Sequence, residues 1–240
     1  GHSVDIISGP PYPNLAEGIT LKKLPGLDLF QTFSFRERLK IFFGRKSKKL
    51  MDIYEFIATL FGSFPEMRTF GHRSYKWLLD NNNYDIVIDN QSISFGMLDI
   101  QKIVPFIEII HHPITKDYKH ELQASNKILY RLSRYRWYSF LGMQKKVAPR
   151  IKRIITPSKN SQKDISIDFK CNPSNISVIN NGLDIDKFIP YKNIERLPHR
   201  LITTASADVP LKGLDFTLKA ISKLKRNYVN IELIIIGKLK

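Results

Sequence analysis

The sequence lacks most of the signatures that would give a quick answer. There is one cysteine, Cys171, so no internal disulfide can form, and with no paired CxxC anywhere a zinc or thiol-redox centre has no framework. No GxGxxG turn, no GxxxxGK[ST] loop and no Ser-His-Asp signature is present. No apolar run approaches the length of about 18 residues that a membrane-spanning helix needs. The opening "GHSVDII" has no basic n-region and no cleavage-site pattern, which leaves a reducing, cytoplasmic compartment as the default. Acidic residues are also scarce, 22 against 38 lysines and arginines, for a net charge of +16. That balance favours an anionic partner: a phosphorylated small molecule, an anionic lipid surface or nucleic acid.

What is present is a 240-residue globular composition with 42% hydrophobic residues. Short Ile- and Val-rich runs alternate with longer segments of helical spacing. "SVDIIS", "YDIVIDN", "VPFIEII", "RIITPS" and "ISVINN" read as strands with little polar alternation, the pattern of a parallel sheet covered on both faces. Between them, residues 51–61, 71–81, 118–146 and 158–169 have helical length, and Ser158 is placed to cap the last of these. Strand, helix, strand order repeated in this way predicts a doubly wound α/β sheet.

The pattern breaks at "VINNGLDIDKFIP", crosses a polar stretch, and restarts. Arg200 to Thr204 reads as a strand, Gly213 to Arg226 as a helix, and Ile231 to Ile236 as another buried strand. The expected organisation is therefore a first α/β domain over residues 1–190, a linker over 191–199, and the start of a second domain over 200–240. Asn181 and Gly182 mark the hinge. Both ends read as cut, the last one just beyond an apolar strand.

Ligands of open parallel sheets bind beyond the carboxyl ends of the strands. Gly9 and Pro10, Asn90, His111 and His112, and Ser158 all follow strands and are candidate cleft residues. The adjacent histidines of "HHP" can donate to hydroxyls and phosphates near neutral pH. They do not suggest a metal, since neighbours on an extended segment point opposite ways and no third ligand has a familiar spacing. In "ASADVPLKG" the pair Lys212-Gly213 stands ahead of a helix, where free N–H groups and the positive end of the dipole suit a phosphate.

These stretches resemble the retaining glycosyltransferases of family 4. "RIITPSKNSQKDISIDFKCNPSNISVINNGLDIDKFIP" resembles that family's passage from the amino-terminal domain into the linker, with Asn181, Gly182, Asp184, Phe188 and Pro190 on its "NGVD…F.P" motif. "LITTASADVPLKGLDFTLKAISKL" resembles the opening of its donor-binding domain, with Lys212 and Gly213 on the "KG" motif. "GHSVDIISGPPYP" and "FIEIIHHPITKD" resemble segments bordering its acceptor cleft. The resemblance implies a GT-B fold of two Rossmann-like domains and transfer of a sugar from a nucleotide-sugar with retention, with no mandatory metal and no other cofactor. It implies that Lys212 contacts the donor diphosphate and that one of His111 and His112, with His111 preferred, faces the sugar.

The family's Arg five residues before the motif Lys is replaced by Ala207, and Ser206 offers only a hydroxyl in its place. The family's glycine-rich turn would precede Gly1 and its paired glutamates would follow Lys240, so these 240 residues alone are expected not to turn over substrate.

The segment Lys116 to Lys159 carries twelve basic residues against two acidic ones, interleaved with tyrosines and a tryptophan. Such a mixture suits the acidic surface of a membrane, here its cytoplasmic face, with the acceptor a glycan or lipid-linked glycan. Two other readings stay open. A nucleotide-sugar epimerase or a phosphorylase can use the same fold; a non-catalytic basic protein for nucleic acid ranks last, because no base-reading motif accompanies the charge.

Overall fold

The computed structural model describes residues 1–29, 32, 34–46, 48–191, 193–204 and 213–237. The chain divides into two compact units, residues 1–115 with 128–180, and residues 116–127 with 181–240.

The first unit opens with parallel strands β1 (Val4–Ser8) and β2 (Ile19–Lys23). Helices α1 (Phe35–Gly44), α2 (Leu50–Leu60) and α3 (Glu66–Asp80) follow. A second sheet, of order β3-β4-β5-β6, is built from Val87–Asn90, Phe106–Ile109, Ile154–Thr156 and Ile176–Val178, all parallel. Its crossovers are α4 (Phe95–Ile103) after β3, α6 (Ile128–Trp137) with α7 (Leu141–Val147) before β5, and α8 (Lys159–Asp168) after it. Ser158 caps α8 as expected, its Oγ accepting the Ser161 N–H at 3.0 Å.

The main core joins these helices to the sheet through Leu78, Met97, Ile110, Val147, Ile154 and Phe169, all nearly sealed from solvent. Cys171 is buried there, and burial pushes its thiol up to about 11. A second cluster, Leu27, Leu29, Phe42 and Phe56, lies under α1 and α2. Beside it, Arg73 of α3 bridges Asp52 at 2.8 Å and Glu55 at 2.5 Å, so the buried carboxylates of α2 are paired. α3 and α4 touch backbone to backbone, where a Cβ on Gly96 would meet the Gly71 carbonyl oxygen at 2.1 Å.

Two expectations fail here. The helix expected over residues 118–146 is three helices, α5 (Thr115–Gln123), α6 and α7. Its first break falls at Ser125, whose hydroxyl accepts the Lys127 N–H and so competes with the helical ladder. The strands are also less covered than their sequences suggest. Val87 packs on the main core, while its neighbours Ile86 and Ile88 project to the other face and are exposed.

In the second unit, β7 (Arg200–Thr204) and β8 (Glu232–Ile236) pair in parallel around α9 (Leu214–Leu224), with Arg200 bonded to Glu232 at 2.7 Å. The last strand, expected to be buried, leaves Ile234, Ile235 and Ile236 exposed, since one βαβ unit has too little chain to cover both faces of two strands.

Candidate functional site

Parallel pairing sets the carboxyl ends of β3, β4, β5 and β6 in one row, and Asn90, His111, Ser158 and Asn180 stand along it. At β5 and β6 the row is tied together by Asn180, whose amide donates to the Pro157 carbonyl at 3.1 Å. Ser158 spends its hydroxyl on the α8 cap, so its role here is to hold the helix amino terminus beside the row.

His111 is the most fully positioned of the expected residues. Its backbone N–H donates to Gln91 Oε1 at 2.9 Å, and its Nε2 lies 2.8 Å from Asn90 Oδ1. Gln91 Nε2 donates in turn to the His112 carbonyl at 3.1 Å. One side chain thus clamps the backbone on both sides of the His111–His112 peptide. The imidazole of His111, exposed at the strand end, is left with Nδ1 for a ligand. When Nε2–H donates to Asn90, Nδ1 is an acceptor, suited to a sugar hydroxyl.

Gln91 achieves this at φ 67°, a left-handed conformation uncommon for a side chain of its kind. Two buried features hold the turn. Asp89 accepts the backbone N–H and the hydroxyl of Ser92 at 2.7 and 2.8 Å. Glu108, opposite Asp89 in the register, is fully buried, and burial first and the Asp89 carboxylate second push its carboxyl well above the usual range. Burial and the neighbouring Asp89 carboxylate thus favour the neutral form of Glu108.

Gly9 and Pro10 follow β1 and line, with Asn90 and Gln91, a cavity of about 1470 Å³. Glu55, Glu66 and Arg73 border the same cavity, as do Leu78 and Met97, so both charged and aliphatic groups line it. Among the described residues no cluster of three His, Cys, Asp or Glu side chains is placed to hold a metal ion.

In the second unit Asn181 and Gly182 are exposed, and a Cβ on Gly182 would meet nothing within 4 Å. Gly213 caps α9 at φ 69°, a position that favours glycine. Ser206, Ala207 and Lys212 lie outside the described residues.

The basic segment has an unusual surface. No residue of α6 is buried, and its outward side carries Ile128, Leu129, Leu132 and Tyr135 at 80, 81, 42 and 65% exposure, spaced to form one stripe. Trp137, on the opposite side, meets the Phe64 ring at 5.2 Å. The apolar stripe thus faces away from the side that packs. No helix among the described residues is long and apolar enough to cross a membrane.

A family model described as Glycosyltransferase Family 4 matches residues 1–187. A curated relative from Mycolicibacterium hassiacum, an MMP alpha-(1->4)-mannosyltransferase, is 37% identical over 243 residues, covering 100% of this chain. The chain spans 57% of that relative's length. Among solved structures, the crystal structure of the glycotransferase of kitacinnamycin aligns over 98% of this chain and 65% of its own, at 9% identity and a TM-score of 0.43.

Proposed function

Since the chain belongs to glycosyltransferase family 4, we propose that the protein transfers a hexosyl group from a nucleotide-sugar to a hydroxyl of a glycan or glycolipid acceptor, with retention at the anomeric carbon. The relative's printed activity makes mannose the first sugar to try. The observation that carries the reading is the clamped His111, fixed by Asn90 and Gln91 at the carboxyl end of a parallel strand. In this scheme Nδ1 of His111 accepts from a hydroxyl of the bound sugar, and Lys212 with the amino terminus of α9 neutralises the departing diphosphate. The scheme calls on no covalent nucleophile from the protein. The chain's own part is orientation and charge stabilisation, with no mandatory metal.

The test is donor turnover by the protein encoded in the reading frame that contains this chain, with GDP-mannose and UDP-hexoses and a panel of glycan acceptors. Nucleoside diphosphate release should require acceptor, the product should keep the donor's anomeric configuration by NMR, and His111→Ala should lower kcat by about 100-fold. Conversion of one sugar nucleotide into another without acceptor would instead make it an epimerase, and a requirement for inorganic phosphate a phosphorylase.

The outward stripe of α6, on a helix that also carries Arg131 and Arg136, supports a peripheral seat on an anionic, cytoplasmic membrane face for a lipid-linked acceptor. Sedimentation with vesicles should rise with phosphatidylglycerol content and fall with salt, and Leu129→Glu with Leu132→Glu should abolish it. Equal sedimentation with neutral vesicles, or none with any, would refute the membrane seat while leaving sugar transfer untouched.

A further inference from the structure

A small pocket opens where α2, α3 and α4 meet, with a volume of about 280 Å³. It shares no residue with the row that holds His111 or with the larger cavity beside that row. α3 brings Arg68, His72 and Tyr75 to it, on one face of the helix by their spacing. α2 contributes Met51 and Tyr54, and α4 contributes Phe95 and Asp99. The close crossing of α3 and α4 at Gly71 and Gly96 is what brings Phe95 and Asp99 alongside Arg68 and His72.

The walls are aromatic and the polar groups are of mixed character. The Arg68 guanidinium lies 5.7 Å from the centre of the Tyr54 ring and 5.4 Å from that of Phe95, and it donates to the Tyr54 hydroxyl at 3.4 Å. Held between two rings, and with no carboxylate partner among the described residues, it keeps N–H groups to offer. Asp99 accepts from Lys102 through one oxygen at 2.7 Å, and its other oxygen has no partner among the described residues. His72 is the third polar group. Burial first, then Lys76 and Arg73, hold its imidazole below the usual range, which favours the neutral form, with one nitrogen a donor and the other an acceptor.

We propose that this pocket binds one neutral pyranose unit of a glycan, stacked on the aromatic walls and hydrogen-bonded to Arg68, His72 and Asp99. Three observations choose that class. A guanidinium and a carboxylate on one small pocket call for a ligand with acceptors and donors close together, and each hydroxyl of a sugar is both. An anion would suit Arg68 and be repelled by Asp99; a cation would meet the reverse. The rings of Tyr54, Tyr75 and Phe95 are negative over their faces, which suits the C–H bonds on one side of a pyranose. The volume lies just under the range of about 300–1,000 Å³ for pockets that hold drug-sized ligands, so there is room for one ring and not for a chain of them. The role of the pocket rests on the sugar-transfer reading: it holds a non-reacting unit of a glycan, apart from the row where His111 stands.

The test is an NMR titration of the protein encoded in the reading frame that contains this chain, isotopically labelled at its methionine methyl groups. Met51 reports on the pocket, its signal assigned by Met51→Leu, and Met143, buried in the main core, reports on the fold. Methyl α-mannopyranoside or methyl α-glucopyranoside should shift the Met51 signal and saturate in the millimolar range, leaving Met143 in place. Arg68→Met and Tyr54→Ala, both at exposed positions, should keep the Met143 signal and weaken binding by about 10-fold or more. No saturable shift with either glycoside would overturn the proposal. So would undiminished affinity in the two variants, which would put the sugar elsewhere, or a shift with inorganic phosphate or glucuronate and not with the neutral glycosides, which would make this an anion pocket. The titration contains no nucleotide-sugar, so its failure and the failure of sugar transfer are separate results.

Discussion

Glu66→Gln should change how the first unit's stability depends on pH. Glu66 opens α3 with one carboxylate oxygen buried and without a hydrogen-bond partner among the described residues. Burial is the largest cause that raises its carboxyl from 4.5 to about 7, with Glu55 and Asp28 adding to it and its own backbone N–H and Arg38 opposing. The sign follows from the two states. The folded chain keeps this proton up to about pH 7, whereas the unfolded chain releases it near 4.5. Folding therefore takes up a proton between those values, and stability falls as pH rises through the window. A shift of this size, at about 1.4 kcal/mol per unit, costs the parent roughly 3 kcal/mol by pH 8 relative to pH 4. Gln keeps the shape and cannot ionise. The variant's stability minus the parent's should thus grow by roughly 3 kcal/mol between pH 4 and pH 8. Other buried carboxyls, Glu108 included, are common to both chains and cancel in the difference. The assay is urea unfolding followed by tryptophan fluorescence, because Trp77 and Trp137 both lie in the first unit and report on it alone. A difference that stays level across this pH range would refute the reasoning.

Gly96→Ala should be the most damaging small substitution, since its Cβ would stand 2.1 Å from the Gly71 carbonyl oxygen and no flexible side chain can yield there. We expect a loss of about 3 kcal/mol or more, a fall in Tm of roughly 6–12 °C by calorimetry, against no measurable change for Gly182→Ala. Ser158→Ala removes the cap of α8 and should cost about 1 kcal/mol in urea unfolding. Gln91→Gly separates strain from function. Glycine accepts the φ of 67° more readily, so stability should hardly fall, while loss of the clamp on the His111–His112 peptide should cut kcat by about 10-fold or more.

The strands of the first unit were legible because each is a short aliphatic run bounded by polar or turn residues, and "YDIVIDN" and "VPFIEII" fell where β3 and β4 lie. β2 was not, because "ITLKK" has a short alternation that half-exposed strands share with loops. α4 was hidden differently. "FGMLDIQKI" begins with a Phe-Gly pair that reads as loop, and the glycine is there so that α4 can lie against Gly71. That requirement belongs to the packing of two helices and leaves no periodic trace. The single helix expected over residues 118–146 failed for a local reason, the hydroxyl of Ser125 taking a backbone N–H that the helix needed.

At the candidate site, position was legible and support was not. His111 and Asn90 could be found because strand ends are where ligands bind in parallel sheets, and strand ends are visible in sequence. Nothing in "NQS" announces that Gln91 adopts φ 67° and reaches the backbone of residues some 20 positions onward. The one available signal was charge in the wrong place. Glu108 in "VPFIEII" and Asp89 in the strand "VIDN" are lone acids in aliphatic strands, and an acid buried in a parallel sheet is costly unless something nearby uses it. The register sets the two side by side, which favours the neutral form of Glu108, and Asp89 fixes Ser92 and with it the turn that carries Gln91. Read from that end, the two misplaced acids lead through Ser92 and Gln91 to His111. The cost of burying them is thereby connected to the positioning of the residue proposed to meet the sugar, and replacing Asp89 with Asn should loosen the His111 clamp without touching the imidazole itself.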